Sequence, residues 1–377
     1  MKKKIALIFG GRSLESDISV ITALQTLAAL KETEYDVAPV YLTEGGFFMK
    51  GLDDISAFTP FRPEAHTRVT LTDGVFCSLR KNRLKREFRP DAALICCHGG
   101  EGENGVLQGL LDFNGVSYAS SGVCGSALTM DKAASKCAFE HMLLNVVQYH
   151  TLFSRDVRRD MVGAAEECEG VLRYPMIVKP ASQGSSIGIA AAHDREELTA
   201  ALAAAAEFDR KIIVEEKLEN FREVNCAAYS DGESIVVSET ETPISAGELL
   251  TFEDKYLGGG KAGGEGRVTP ADVGEELNAL IKSLTERIYR ALELRGVVRT
   301  DFLVDTERGK VYVNEVNTVP GSLAFYLFAP LGITFPEMLT AVIEDALAGG
   351  RERAARRAFP SRVLEFYGRK GGGKTAK

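Results

Sequence analysis

Two stretches, GVVRTDFLVD (296–305) and VYVNEVNTVPG (311–321), carry an Arg, an Asp, a Glu and an Asn at strand spacing. Side chains alternate faces along a strand, so Arg299, Asp301 and Leu303 share one face of the first run. By the same rule Val311, Val313, Glu315 and Asn317 share one face of the second. The link reads as a hairpin with a three-residue loop, Glu307 to Gly309, in which Gly309 takes the left-handed position. That register sets Thr306 against Lys310, Asp301 against Glu315 and Arg299 against Asn317. Two carboxylates directly opposite each other destabilise a strand pair. A divalent cation removes the conflict, and Asp, Glu and Asn oxygens suit Mg²⁺, which binds through one or two carboxylates plus substrate phosphates. The competing reading is a solvated hairpin end with scattered charges.

A second stretch is suited to phosphate. In KPASQGSSIG (179–188) a Lys ends a strand and a small loop follows. Gly184 and Gly188 permit close backbone approach, and Ser185 and Ser186 add hydroxyl donors. Taken alone, such a loop is more often only a loop. Lys132, Lys179 and Lys255 lie beside predicted turns. With a two-carboxylate metal site they would neutralise a triphosphate during transfer, whereas a solvated surface is the plain alternative for each. A third stretch, GRKGGGKT (368–375), matches a phosphate-loop pattern, but only two residues follow it, so no helix can aim its N-terminus at a phosphate.

The elements that must hold these groups are readable in outline. IALIFGG, DVAPVYL and DAALICCHGG read as buried strands alternating with helices such as DISVITALQTLAAL, which implies a mostly parallel sheet to about residue 120. MDKAASKCAFEHMLL reads as a helix, YPMIVKPASQGSSIGIAAA as two strands around a loop, and HDREELTAALAAAAEF as a helix before the strand KIIVEEKL. This gives a central unit, 121–216, and a C-terminal one, 217–362. In the latter a helix begins with Thr269 as cap and Pro270 at its first position and ends at Gly296. Its stripe is Val273, Leu277, Leu280, Ile281, Leu284, Ile288 and Leu292. Residues 363–377 read as a disordered tail. The chain has 377 residues, is 45% hydrophobic and carries a net charge of −8, which argues against a broad nucleic-acid footprint. No apolar run is long enough to span a membrane, and seven scattered cysteines without CxxC spacing suggest reduced thiols in a cytoplasm.

The order of motifs resembles the D-alanine–D-alanine ligase family of the ATP-grasp superfamily, from about residue 4 to 320. The matching segments are GGRSLESDISV, HGGEGENGVLQGLL, MDKAASK, YPMIVKPASQGSSIG, VEEKLENFREV, FEDKY, VVRTDF and VNEVNTVPG. The resemblance implies an α/β ATP-grasp fold: an N-terminal parallel-sheet domain followed by two α+β subdomains that sandwich ATP. It implies that Glu15 binds the ammonium of the first D-alanine, with His98 nearby. Lys132, Lys179 and Ser186 would contact ATP phosphates, and Lys255 the γ-phosphate. Glu216, Lys217 and Glu223 would hold adenine and ribose, with the Glu215–Glu216 pair admitting a shift of one residue. Asp301, Glu315 and Asn317 would bind two Mg²⁺ (or Mn²⁺) ions, and Arg299 would steady the tetrahedral intermediate. Ser185 and Tyr256 would link a lid, LGGGKAGGEG (257–266), to Glu15. The resemblance also implies a cytoplasmic homodimer.

After the family's NTxPG the pattern departs. A relative's Ser, which holds the carboxylate of the second D-alanine, aligns without a gap with Tyr326, and Ser322 is the other candidate. Three activities stay open: ligation of two D-alanines; ligation to a different second substrate such as D-serine, D-lactate or another amino acid; and nucleotide binding without catalysis. In the family a Tyr at the position of Tyr256 accompanies an amine nucleophile.

Overall fold

The computed structural model describes residues 2–184, 187–243, 267–355 and 361–369. The first unit runs β1 (Lys4–Gly10), α1 (Ser16–Leu30), β2 (Asp36–Thr43), β3 (Gly46–Met49), β4 (Thr67–Thr72), β5 (Val75–Arg80), β6 (Arg83–Phe88), β7 (Ala92–Ile95), α2 (Gly100–Glu103), α3 (Val106–Phe113) and β8 (Ser117–Ala119). These strands form one sheet in the order β6-β5-β4-β3-β2-β1-β7-β8. Only β2-β1-β7-β8 is parallel. Strands β3 to β6 extend it as an antiparallel ribbon, so the expected mostly parallel sheet covers half of what is built. Two-residue turns account for the ribbon. Asp73-Gly74 and Lys81-Asn82 all have positive φ, the conformation that matches strand twist in tight hairpins.

The central unit runs α4 (Val123–Met130), α5 (Lys132–His141), β9 (Tyr149–Phe153), α6 (Ser154–Arg159), α7 (Met161–Val171), β10 (Met176–Pro180), β11 (Ala190–Ala192), α8 (Arg195–Phe208) and β12 (Lys211–Glu216). Its antiparallel sheet has the order β11-β10-β12-β9. Asp131 and Asp194 cap α5 and α8 by accepting from backbone N–H groups of the first turn.

The last unit contains β13 (Arg222–Ser230), β14 (Ile235–Pro243), β15 (Arg267–Val268), α9 (Glu275–Ala291), β16 (Val298–Asp305), β17 (Lys310–Asn317), α10 (Phe335–Ala355) and α11 (Val363–Arg369). The strand order is β15-β14-β13-β16-β17, antiparallel throughout. Helix α9 starts at Glu275, not at Pro270. The Ala271 N–H donates to Thr240 Oγ1 at 3.2 Å and the Ala271 carbonyl accepts from Asn278, so this segment is drawn onto the sheet instead of coiling. The helix stops at Leu292 with Glu293 left-handed (φ 50°), ahead of the expected Gly296. Ile281 and Ile288 of the expected stripe are buried, while Leu280 is exposed. The expected disorder from residue 363 does not hold over Val363–Arg369, which is helical.

The first and last units share a core, while the central sheet and its helices α6, α7 and α8 keep one of their own. Helix α10 packs its Met338, Leu339, Val342 and Ile343 into the same core as β1, β7 and β8, whereas Val311, Val313 and Val316 of β17 belong to a different one. Leu323, Ala324, Leu327 and Phe328, from the segment that follows the Pro-Gly break, join it there. The motif SLAFYLF is therefore a joint between the last sheet and the first. No single helix among the described residues is long and apolar enough to cross a membrane.

Phe328 is fully buried and meets Tyr229 of β13 edge to face, centroids 5.0 Å apart. Phe328→Ala should destabilise the chain by about 3–5 kcal/mol, read as a lower urea midpoint. An unchanged midpoint would mean that the joint is not held by packing.

Candidate active site

The β16–β17 hairpin places Asp301 opposite Glu315 and Arg299 opposite Asn317, as the sequence predicts, but by another route. The loop is one residue longer than expected, because Asp305, not Thr306, pairs with Lys310. A bulge then shifts the register between Phe302–Val313 and Asp301–Glu315, leaving Asn314 as the extra residue and restoring the pairing. The bulge also overturns the expected shared face. Val311, Val313 and Val316 enter the core, and Glu315 and Asn317 turn to the other side. An apolar face that ended in two oxygen-bearing residues was the trace of this switch.

Asp301 is buried and fully engaged. Arg299 grips it bidentately, Nε to Oδ1 at 2.6 Å and Nη2 to Oδ2 at 2.7 Å, and Asn317 donates its amide to Oδ2 at 2.9 Å. Glu315 lies 3.3 Å from Lys132 Nζ. The carboxylate pair is thus balanced by a guanidinium and an ammonium. The register continues the row sideways, with Asn225 on β13 opposite both Asp301 and Glu241 of β14.

Lys132 opens α5 directly after its Asp131 cap, which also receives Lys211 Nζ. Its own Nζ donates to the Gln183 carbonyl at 2.7 Å, and its N–H donates to the Ala181 carbonyl. One lysine therefore ties the glycine-serine loop of the central unit to Glu315 of the last. Lys179 donates to Glu215 Oε2 at 2.8 Å, and fully buried Lys136 lies 3.4 Å from the other oxygen. Burial alone would raise the Glu215 carboxyl, but the two ammonium groups outweigh it and hold it near 2. Glu216 points elsewhere, accepting from the Arg173 N–H at 3.1 Å, while the Lys217 N–H donates to the Pro175 carbonyl and Glu223 sits on β13.

Glu15 precedes α1 and lies between two glycines. A Cβ on Gly99 would come within 2.6 Å of its Oε2, and one on Gly184 within 2.7 Å, so side chains there would displace the carboxylate. It faces Glu103, whose carboxyl burial pushes up to about 7 with Glu15 adding to the effect. Glu103 accepts from the N–H groups of Gly99 at 2.7 Å and Val319 at 2.8 Å.

His98 does not offer a ring nitrogen to a ligand. It is buried, with Nδ1 2.6 Å from the Val319 carbonyl and Nε2 2.8 Å from Thr22 Oγ1. Burial, with Arg299 assisting, pulls it down to about 4, so it is neutral near pH 7. Beyond Pro320 the chain does something unusual: Ser322, Leu323 and Ala324 have φ of 51°, 49° and 47°. Left-handed backbone costs about 1–2 kcal/mol per non-glycine residue, so three in succession must be held by their surroundings.

Tyr326 stands by Arg299, but its proton is committed. The phenol donates to Glu241 Oε1 at 3.1 Å, so it does not supply the substrate-carboxylate donor that replacing a Ser would require. Arg267 stacks over its ring, 3.8 Å from Cζ to centroid, and lies 3.3 Å from Glu241 Oε2. Burial, then Glu241, pushes the phenol up to about 12. Ser185, Ser186, Lys255, Tyr256 and the segment 257–266 lie outside the described residues, as does 370–377.

Sequence reading missed Lys136, Glu103, Thr22, Glu241 and Arg267 as parts of this cluster. Lys136 had a signal, since it sits four residues after Lys132 on one helix face. Glu241 and Arg267 had none, because their partners are brought by β14 and β15 from distant parts of the chain.

Asp301, Glu315 and Asn317 fit a hard divalent cation. They present carboxylate and amide oxygen donors on adjacent strands, and the positive groups now balancing them occupy the positions that such an ion would compete for.

Two antiparallel units meeting across a lysine–carboxylate cluster, beside a parallel-sheet domain, define an ATP-grasp ligase architecture. Solved structures share it. The D-alanine-D-alanine ligase of Coxiella burnetii aligns over 98% of this chain and 99% of its own, with a TM-score of 0.77 at 24% identity. A D-Ala:D-Ser ligase of Enterococcus faecalis aligns over 92% and 100%, with a TM-score of 0.75 at 26% identity. Residues 4–121 match the D-ala D-ala ligase N-terminus and 139–344 the D-ala D-ala ligase C-terminus. The chain belongs to the D-ala D-ala ligase family. It is 36% identical over 372 residues to the D-alanine--D-alanine ligase of Chloroherpeton thalassium, covering 94% of this chain and 99% of that one. The corresponding protein of Thermosipho africanus is 34% identical over 359 residues, 93% of this chain and 95% of that one.

Glu215 gives a pH test. Its folded value, about 2, lies below the ordinary 4.5, so its stabilisation is full above about pH 4.5 and is lost as pH falls towards 2. Glu215→Gln leaves two ammonium groups without their carboxylate and should cost about 3–5 kcal/mol at pH 7. The deficit, from urea unfolding, should narrow below pH 4.5; a gap that does not change with pH would contradict the ion trio.

Proposed function

We propose that this chain joins two D-alanines in an ATP-dependent, ADP-forming reaction that passes through an acyl phosphate and supplies the dipeptide for peptidoglycan precursors. The observation that carries this reading is Lys132, whose ammonium reaches both the glycine-serine loop and Glu315. It joins a phosphate-binding element to a metal-binding one.

A carboxylate is a poor acyl donor, because oxide is a poor leaving group. Phosphorylating the first D-alanine on its carboxylate makes phosphate the leaving group, and the amine of the second D-alanine then attacks the acyl carbon. In this reading Glu15, wedged against Gly99 and Gly184, receives the ammonium of the first substrate. Lys132 and Lys179 neutralise phosphate oxygens, with Glu215 aiming Lys179. Asp301, Glu315 and Asn317 would hold the divalent ions. A bound ion supplies Lewis-acid charge to the transferring phosphoryl group. Arg299, whose fork grips Asp301 bidentately, would present its guanidinium charge to the developing oxyanion. Glu216, Lys217 and Glu223 border the nucleotide base and ribose.

A second reading, with D-serine or D-lactate in the second position, is favoured by one observation: the Tyr326 proton goes to Glu241, so the second carboxylate is held differently from the Ser-based pattern. A phosphate-release assay over D-alanine, D-serine and D-lactate separates the two. D-Alanine alone, with Mg²⁺, should support turnover. Release in excess chelator, or only when a second substrate other than D-alanine is added, would overturn the first reading. Glu315→Gln should lower kcat by about 100-fold or more with the fold intact, read by phosphate release and circular dichroism. Near-normal turnover would remove Glu315 from the metal site.

A further inference from the structure

We propose that Thr22 is a positioning residue that holds the left-handed turn Ser322–Ala324, and with it the second-substrate side of the site. The inference rests on the ligase reading above. It starts from a backbone that would not adopt this shape unaided. Three consecutive residues with side chains have φ between 47° and 51°. Their packing fixes Leu323 and Ala324 in the core, but packing does not address the polar backbone, which must be satisfied.

The Leu323 N–H donates back to the Pro320 carbonyl at 2.8 Å within the turn, but the bond to the Ser322 N–H comes from the N-terminal domain. Thr22 Oγ1, on α1, accepts from the Ser322 N–H at 3.1 Å. The same oxygen lies 2.8 Å from His98 Nε2, and His98 Nδ1 lies 2.6 Å from the Val319 carbonyl. Every proton in this chain has one allowed place. A carbonyl only accepts, so Nδ1 carries the imidazole proton. The ring is neutral, so Nε2 is bare and accepts the proton of Thr22. An amide only donates, so Ser322 gives its proton to the Thr22 lone pair. The result is a closed relay from Ser322 through Thr22 and His98 back to Val319, spanning the Pro-Gly break. Thr22 is 1% exposed and His98 4%, so bulk water cannot replace the hydroxyl.

The placement of Thr22 adds a second consequence. It lies seven residues after Glu15, two turns along the same helix, and therefore on the same side. The candidate first-substrate carboxylate thus sits at the N-cap of α1, and the anchor of the turn lies about two turns further along on the same side. The turn in turn leads into Tyr326, which stands by Arg299. One rigid helix sets the spacing between the two flanks of the site.

The test separates positioning from mere packing. Thr22→Val keeps the shape and removes the hydroxyl, leaving the Ser322 N–H and His98 Nε2 without partners. Rates fitted to two sequential D-alanine sites should show a roughly tenfold rise in KM for the second, with KM for the first and kcat within about twofold. Thr22→Ser, which keeps the hydroxyl, should restore the second KM. On the unaltered chain, ¹⁵N NMR of the histidine rings should show His98 protonated at Nδ1, and the Ser322 amide should be protected from hydrogen exchange. These two readings need no mutant, so failure of Thr22→Val to fold does not shelter the proposal. A second-site KM that stays unchanged, equal rises at both sites, an Nε2-protonated His98 or an unprotected Ser322 amide would each overturn it. An unaltered enzyme that makes no dipeptide would overturn the ligase reading instead and leave the relay measurements standing.

Discussion

Two carboxylates, Asp301 and Glu315, face each other across neighbouring strands, and the surrounding polar structure can be understood as the answer to that repulsion. Arg299 and Asn317 absorb one of them and Lys132 the other. Because Lys132 is the first residue of α5 and also holds the Gln183 carbonyl, balancing Glu315 draws the central unit onto the last one. Charge compensation at the hairpin and closure of the cleft between the two units are the same interaction. The same carboxylates, with Asn317, supply the oxygen donors that suit a hard divalent cation.

The second constraint is mechanical. The turn after Pro320 is left-handed over three non-glycine residues, and it survives because it is docked on another domain. Phe328 and its neighbours bury into the core of the first sheet, while Thr22, His98 and Glu103 serve the backbone of Val319 and Ser322. The N-terminal domain thus contributes more than the carboxylate of Glu15 wedged against Gly99 and Gly184. It supplies the mould for the loop that the last sheet sends into the site.

Much of this was legible in the chain, and the failures have physical causes. The opposition of Asp301 and Glu315 follows from strand period and a short loop, yet two errors cancelled to give it. A period of two has no place for the extra residue at Asn314, and the loop was one residue too short by the same amount. The helix start at Thr269-Pro270 obeyed capping rules but lost to Thr240 and Asn278, which hold Ala271 from outside the segment. SLAFYLF was recognised as a departure, but its left-handed run opposes every local preference and only tertiary docking explains it. Tyr326 was read as a donor to a substrate carboxylate, whereas its phenol donates to Glu241, 85 residues away in the chain.

The central proposal is that Asp301 and Glu315 both hold divalent cations in the cleft. It is tested most directly by the affinity of Mn²⁺ in the presence of ADP, followed by electron paramagnetic resonance, for the unaltered chain, Asp301→Asn and Glu315→Gln. The account predicts that each substitution weakens binding by at least about tenfold, the loss of one charged contact. Mn²⁺ bound equally well by all three proteins would contradict it, and the carboxylate row would then be a structural ion network alone.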